Sequence, residues 1–301
     1  MHTEAPAVVL ICHEEERLDC DGLASWLASA MRLAGLLTIR DQRARRWRAV
    51  RRELKRVGPL GLLDVAAFRA YARLAHGVRD TKWQEAEIER LRRRFPADIS
   101  RVPRKVVASP NSEEARAFLA GLKPDLAIAR CKVLLDPEVF NIPRAGTFVL
   151  HPGICPEYRN AHGCFWALAH RDLQRVGMTL LRVDRGVDTG PVFLHATGDF
   201  DEQSDSHTVI QHRVVTQNLD AIARTLTAIA RGEAVQPINT DGRMSAVWGQ
   251  PRLTHYLRWK RAVRREASGT RASSTVPGPS PDVLSSGRAL MDRHDAPEVV
   301  R

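Results

Sequence analysis

Short apolar runs recur along this chain, and most lead into a stretch with helical spacing. They are AVVLICH, LLTIRD, RKVVASP, DLAIARC and GTFVLHP. Where such a run does not alternate with polar residues, it is the pattern of a strand buried on both faces. Strands of this kind need helices to cover them, so the order of runs predicts an α/β fold: an open, mostly parallel sheet with helices on both faces. GLASWLASAMRLAG is expected as the first helix, ended by Gly35 as its C-cap. Residues 41–96 read as a helical insertion after the second strand, divided into two or more helices by Gly58, Pro59 and Gly61. NSEEARAFLAGLKPD reads as a helix capped by Asn111 or Ser112, with Glu113 and Glu114 in its first turn and Gly121 at its end. LLDPEVFNIP is a short helical turn, and Phe165 to His170 a helix after the loop that follows the fifth strand. VGMTLLRVD and the end of RGVDTGPVFLHATGDF give two more strands. SDSHTVIQHRVVTQNLDAIARTLTAIARG is expected as one amphipathic helix closed by Gly232, with His207 and His212 near its start and exposed. The domain spans 1–235. Residues 236–265 form a short extension, packed back through Trp248, Tyr256 and Trp259. Residues 266–301, rich in Ser, Pro and Gly, are expected to be disordered.

The chain has 301 residues, 44% of them hydrophobic, which is enough for a sizeable core. It holds no apolar run of 18, so no membrane span is expected. MHTEAPAVVLICHEEE lacks the basic start of a signal peptide and reads as a strand. The five cysteines, Cys12, Cys20, Cys131, Cys155 and Cys164, form no CxxC pair and suit a reduced, cytoplasmic compartment. The net charge of +11 is largely local: nine basic residues against two acidic lie between Arg40 and Arg56, and five basic residues between Arg258 and Arg265. These are either solvated helix faces or contacts with an anion, whether nucleotide, nucleic acid or acidic membrane surface. Only Trp47 interleaves with the first run, which argues against single-stranded nucleic acid.

His151 ends the fifth strand, and ligands of open parallel sheets bind outside that edge. Asp188 follows the next strand, flanked by Gly186 and Gly190. A carboxylate beside an imidazole favours the charged ring and can move protons or steady a developing oxyanion. His151, Cys155, His162 and Cys164 are four metal-capable side chains within 14 residues, but their spacing matches no zinc pattern, and no metal is expected.

From LKPDLAIARCKVLLDPEVFNIPRAGTFVLHPGICPEYRNAHGCFWAL to VGMTLLRVDRGVDTGPVF, the chain resembles the formyltransferase family. That family includes the glycinamide ribonucleotide, methionyl-tRNA and sugar-nucleotide formyltransferases and the formyltetrahydrofolate deformylases. Its hallmark resembles N-x-H-P-S-x-L-P-x-Y-R-G followed by D-x-G-x-D-T-G-P, and the likeness runs from about residue 106 to 235. The resemblance implies 10-formyltetrahydrofolate as formyl donor and an amine as acceptor, with a tetrahedral intermediate whose oxyanion needs donors. It implies His151 as the catalytic histidine and Asp188 as the aspartate that holds it and shuttles protons. Val133, Leu134 and Leu135 fall where the family lines its pterin pocket. The backbone of Val183, Asp184, Gly186 and Val187 falls where the pterin ring is hydrogen-bonded.

Three departures shape the expectation. The family's asparagine two residues before the histidine is Val149 here, and losing one oxyanion donor costs on the order of 2.7–4 kcal/mol. Asn160, in place of the family's glycine, is the candidate substitute, with His162 two residues on. Otherwise the acyl donor or the reaction differs, or the fold only binds. The first loop, HEEERLDCDG, carries Glu14, Glu15, Glu16 and Asp19 where glycinamide ribonucleotide enzymes cradle a phosphate. It suits a cationic or amine substrate, or is merely solvated. About 30 residues follow Gly232 before the Ser/Pro/Gly-rich stretch, too few for the second domain of the methionyl-tRNA enzymes, so a tRNA substrate is not expected. The expected activity is therefore formyl transfer to an amine of a small molecule. The rivals are a formyl hydrolase, disfavoured by the lack of room for a deformylase-type N-terminal domain, and a folate- or nucleotide-binding protein without turnover.

Overall fold

The computed structural model describes residues 4–40, 43–273, 298 and 299. Strand β1 (Ala7–His13) leads into a π-helical turn, Leu18–Leu23, that runs directly into α1 (Ala24–Ala30). Then come β2 (Arg32–Ile39), α2 (Arg43–Arg94), β3 (Arg104–Val107), α3 (Glu113–Leu122) and β4 (Leu126–Arg130). The site-bearing half holds α4 (Pro137–Phe140), β5 (Gly146–His151), α5 (Gly163–Ala169), β6 (Gly177–Arg182) and β7 (Val192–Thr197). Helices α6 (His207–Thr216) and α7 (Leu219–Ala230) follow, then β8 (Ala246–Val247) and α8 (Leu253–Ser273). β8 pairs antiparallel with β9 (Glu298–Val299).

The main sheet has seven strands in the order β3-β2-β1-β4-β5-β6-β7. Strands β1 to β5 pair in parallel, and β6 and β7 add antiparallel. The run AVVLICH shows why the strands lack alternation. Val8, Leu10 and Cys12 enter a core shared with α1, α2, α5, α6, α7 and α8. Ala7, Val9 and Ile11 enter a second core under α3 and α4. The chain leaves β1 toward β2 on one side and returns to β4 on the other. This reversal opens a crevice at the carboxyl ends of β1 and β4, where such folds bind ligands.

Several boundaries differ from expectation for physical reasons. Gly35 does not cap α1, which ends at Ala30; it lies inside β2. A β-bulge falls where Val9 pairs with Gly35, and a Cβ there would come within 2.5 Å of Leu122. The glycine lets α3 pack close to the sheet. Gly121 stays helical, and α3 ends at Lys123 in the left-handed conformation; Ser112 supplies its N-cap by accepting the Ala115 N–H. Helix α2 breaks at Gly58 (φ 71°), which gives the two helical parts of the insertion. The helix expected over 204–232 is two helices, and between them Asn218 turns its side-chain amide onto the carbonyls of Thr197 and Val214. Helix α8 runs on past Arg265 to Ser273, as a helix anchored by buried Tyr256, Trp259 and Val263 extends more readily than it nucleates. The remainder of the expected disordered tail, apart from 298 and 299, lies outside the described residues.

Candidate functional site

A cavity of about 590 Å³ opens at the carboxyl ends of β1, β4 and β5. One wall is built from β5 and the segments after β4 and β6: Val133, Leu134, Leu135, Val149, Leu181 and Val183 are apolar, and Asp184, Gly186, Val187 and Asp188 complete it. Asp184 accepts hydrogen bonds from the Gly186 N–H (2.9 Å) and the Thr189 hydroxyl (2.7 Å), which fixes the turn. Every residue that the sequence assigned to the donor pocket lines this wall.

His151 sits at the rim of that wall, 3% exposed. Its Nε2 lies 2.7 Å from the Tyr158 carbonyl, which can only accept. Nε2 therefore carries a proton. Gly153 makes this approach possible, since a Cβ there would come within 2.8 Å of both Nε2 and the Tyr158 oxygen. The other ring nitrogen, Nδ1, faces Asp188 Oδ2 at 3.5 Å. A second proton, on Nδ1, gives both nitrogens an acceptor, so the geometry suits the charged ring. Burial opposes that charge, but the Cys155 sulfur, the Asp188 carboxylate and the Tyr158 carbonyl together lift His151 to about 10.

Asp188 is held in a left-handed backbone conformation (φ 52°), uncommon for a residue with a side chain. Its Oδ2 accepts the backbone N–H of Asn160 at 2.7 Å. The Asn160 side chain, by contrast, is committed elsewhere: its amide donates to the Trp248 carbonyl (2.6 Å) and its oxygen accepts from the Ala161 N–H (2.8 Å). Asn160 thus reaches the pair through its backbone. Val149 lines the cavity, and its side chain packs with the apolar clusters on either side of it.

Of the opposite wall, the sequence points only to Glu16, Asp19 and His162. This wall carries His13, Glu16, Asp19, Arg130 and Lys132 from the ends of β1 and β4, Gln84 from α2, His162, and His207, Thr208, Gln211 and His212 from α6. Its inner charges are matched: Arg130 bonds Asp19 (3.1 Å) and the Leu150 carbonyl (2.6 Å), and Lys132 lies 3.6 Å from Glu16, while exposed Arg52 of α2 adds a positive charge to the lining. Glu14 turns away to Arg40. The acidic first loop thus presents neutralised carboxylates to the cavity. Nor are the α6 histidines exposed. His207 is 7% exposed and packs tilted against Phe68 and edge-on against Phe165, while His212 is half-buried against Trp83. Burial first, then neighbouring positive groups, push His162 down to about 4, His207 to about 3 and His212 to about 4, so all three are neutral near pH 7. The signal available in the sequence was the spacing of His207, Thr208, Gln211 and His212, which puts polar groups on one side of a helix that buries Val209, Ile210, Val214 and Val215.

Residues 87–226 match the family described as Formyl transferase. The cytosolic 10-formyltetrahydrofolate dehydrogenase of Mus musculus is 25% identical over 148 residues, 49% of this chain and 16% of that protein. The methionyl-tRNA formyltransferase of Pseudomonas syringae pv. tomato (strain ATCC BAA-871 / DC3000) is 32% identical over 129 residues, 42% of this chain and 40% of that protein. The chain thus spans less than half the length of these curated relatives. A sugar N-formyltransferase from Shewanella sp FDAARGOS_354 overlays with a TM-score of 0.48 and 12% identity, covering 85% of this chain and 87% of that one.

Proposed function

We propose, for a chain whose residues 87–226 belong to the formyl transferase family, that it moves a formyl group from 10-formyltetrahydrofolate to an amine of a small-molecule acceptor. The observation that carries this reading is the buried His151–Asp188 pair at the rim of a cavity with one largely apolar wall and one polar, hydrogen-bonding wall. The apolar wall fits the donor. Leu134, 59% exposed despite its apolar side chain, and Val133 and Leu135 offer a flat ring an apolar face, and the turn at Val183–Asp188 offers backbone groups to its edge. When bound there, the folate would supply a formyl carbon at the acyl level.

The chain's own groups then divide the work. His151 keeps Nε2 tied to the Tyr158 carbonyl and holds its mobile proton on Nδ1, facing Asp188. From Nδ1 it can protonate a departing nitrogen or donate to an oxygen that gains charge. Asp188 steadies the charged ring and can take a proton from an attacking amine directly or through one water. The Asn160 backbone N–H, on Asp188 Oδ2, aims that carboxylate. In this reading Asn160 is a positioning residue, and Val149 leaves the site with one donor fewer than the family's asparagine would give. The matched pairs Arg130–Asp19 and Lys132–Glu16 support an acceptor without a free phosphate at this wall.

A direct test mixes the protein with 10-formyltetrahydrofolate and follows tetrahydrofolate release, with and without a panel of small amines. Release that depends on an amine, and disappears in His151→Ala and Asp188→Ala, supports transfer. Equal formate release without any amine would replace the reading with hydrolysis. No binding of a stable folate analogue would remove the donor assignment altogether.

A further inference from the structure

The net charge of this protein is concentrated in one helical element. Arg43–Arg94 contains sixteen Lys and Arg against six Asp and Glu, so +10 of the chain's +11 belongs to α2. The same element holds seven of the twelve large apolar side chains that are exposed among the described residues.

These side chains are ordered. Leu60, Leu63, Tyr71, Leu74 and Val78 recur at intervals of three, four or eight residues, with exposed Ala67 completing the series and Tyr71 also packing its ring on buried Tyr256. At 100° per residue they form one ridge about 27 Å long. Val65 and Phe68, on another face of the helix, are buried, Phe68 in the main core. The ridge is therefore a second apolar face, with Leu74 87% and Leu60 80% exposed. Arg73 and Arg79 are exposed beside it, and before the break at Gly58 the exposed Arg51, Arg52 and Lys55 accompany Trp47 and Leu54, seven residues apart.

We propose that α2 docks on an anionic lipid bilayer. A surface-lying amphipathic helix combines Leu and Trp on one face with Lys and Arg around it, and anionic headgroups attract that charge. A second copy of the chain would bring two arms of +10 together. Nucleic acid would satisfy the charge and leave the apolar ridge in water. Arg52, before the break, also lines the cavity. The inference stands apart from the formyl-transfer reading, because it uses a different surface and its test needs no activity.

The experiment is co-sedimentation of the full chain with vesicles of phosphatidylcholine alone, or of phosphatidylcholine and phosphatidylglycerol in equal parts. Binding is expected to the mixed vesicles only. The variant Leu60→Ser/Leu63→Ser/Leu74→Ser should partition about tenfold less or worse, and Lys55→Gln/Arg73→Gln/Arg79→Gln should lose a comparable amount. Leu74→Ser alone, at the most exposed of these positions, should lose part of the binding and guards against a triple variant that does not fold; circular dichroism melts check each protein. Failure to bind mixed vesicles overturns the proposal. So does binding that the folded ridge variants leave unchanged, which would mark charge attraction alone. A dimer in light scattering that Leu74→Ser dissolves would give the ridge to a second copy and overturn it as well.

Discussion

The two walls of the cavity treat the same side chain in opposite ways. On the β5 wall, His151 has an acceptor at each ring nitrogen, and Asp188 helps lift it to about 10. On the α6 wall, His207 is packed between aromatic rings, its Nδ1 is buried without a partner, and it falls to about 3. Both histidines are more than nine-tenths buried. Burial alone therefore does not set the charge; what the ring nitrogens face does. One wall is equipped to hold and move a proton, and the other to stay uncharged.

The harshest way to break this contrast is to remove the charged ring. His151→Ala should lower turnover by about 10²–10⁴-fold while the melting curve shows a folded protein. Asp188→Asn should bring the His151 titration, read by NMR, down from about 10 toward its ordinary range. An unmoved titration would show that Asp188 does not sustain the charge. Next in size, Val149→Asn should raise the rate by up to about 10²-fold, since it restores one donor beside His151. No gain would mean that another group already fills that role.

Acid should expose the α6 wall. His162, His207 and His212 have folded-state values below their unfolded value near 6.5. Their contribution is complete above pH 6.5 and is lost as pH falls toward 3–4, because the unfolded chain binds protons that the folded one refuses. Each adds up to about 1.4 kcal/mol per pH unit to the slope of stability in that window. His151 runs the other way: its contribution is complete below 6.5 and is lost as pH rises through about 10. Denaturant melts across this range measure both arms. His207→Phe should flatten the acid arm and leave the alkaline arm untouched. The smallest effect belongs to Leu134→Ser, which should weaken a folate analogue by about tenfold or less and change neither arm.

Much of the β5 wall was legible in the sequence because it is local. His151, the loop to Asn160 and the turn at Asp188 are carried by contiguous motifs. Val133, Leu134 and Leu135 follow directly on a strand whose unbroken apolar run makes it easy to read. The sheet was legible for the same reason: AVVLICH and DLAIARC are apolar throughout because both faces are covered. Beyond Glu16, Asp19 and His162 the α6 wall was not, because it joins residues 13–19, 84, 130–132, 162 and 207–212, which meet only once the helices pack. Gly35 misled because a glycine after a helix and a glycine at a bulge look alike until Leu122 is seen against it. The role expected of the Asn160 side chain turned on the direction of one amide, and that direction is set by the Trp248 carbonyl, 88 residues away.

The opposed histidines also bear on how the protein would report its substrate. Between about pH 5 and 9 the ring of His151 stays charged and those of His162, His207 and His212 stay neutral. These four rings then contribute no inflection of their own across that interval. In the proposed transfer to an amine, a bend in the rate there would trace either the incoming amine or another cavity group such as His13 or Asp19, and only a bend due to the amine should shift with the basicity of the acceptor. On that reading the site would act as an indicator of its acceptor.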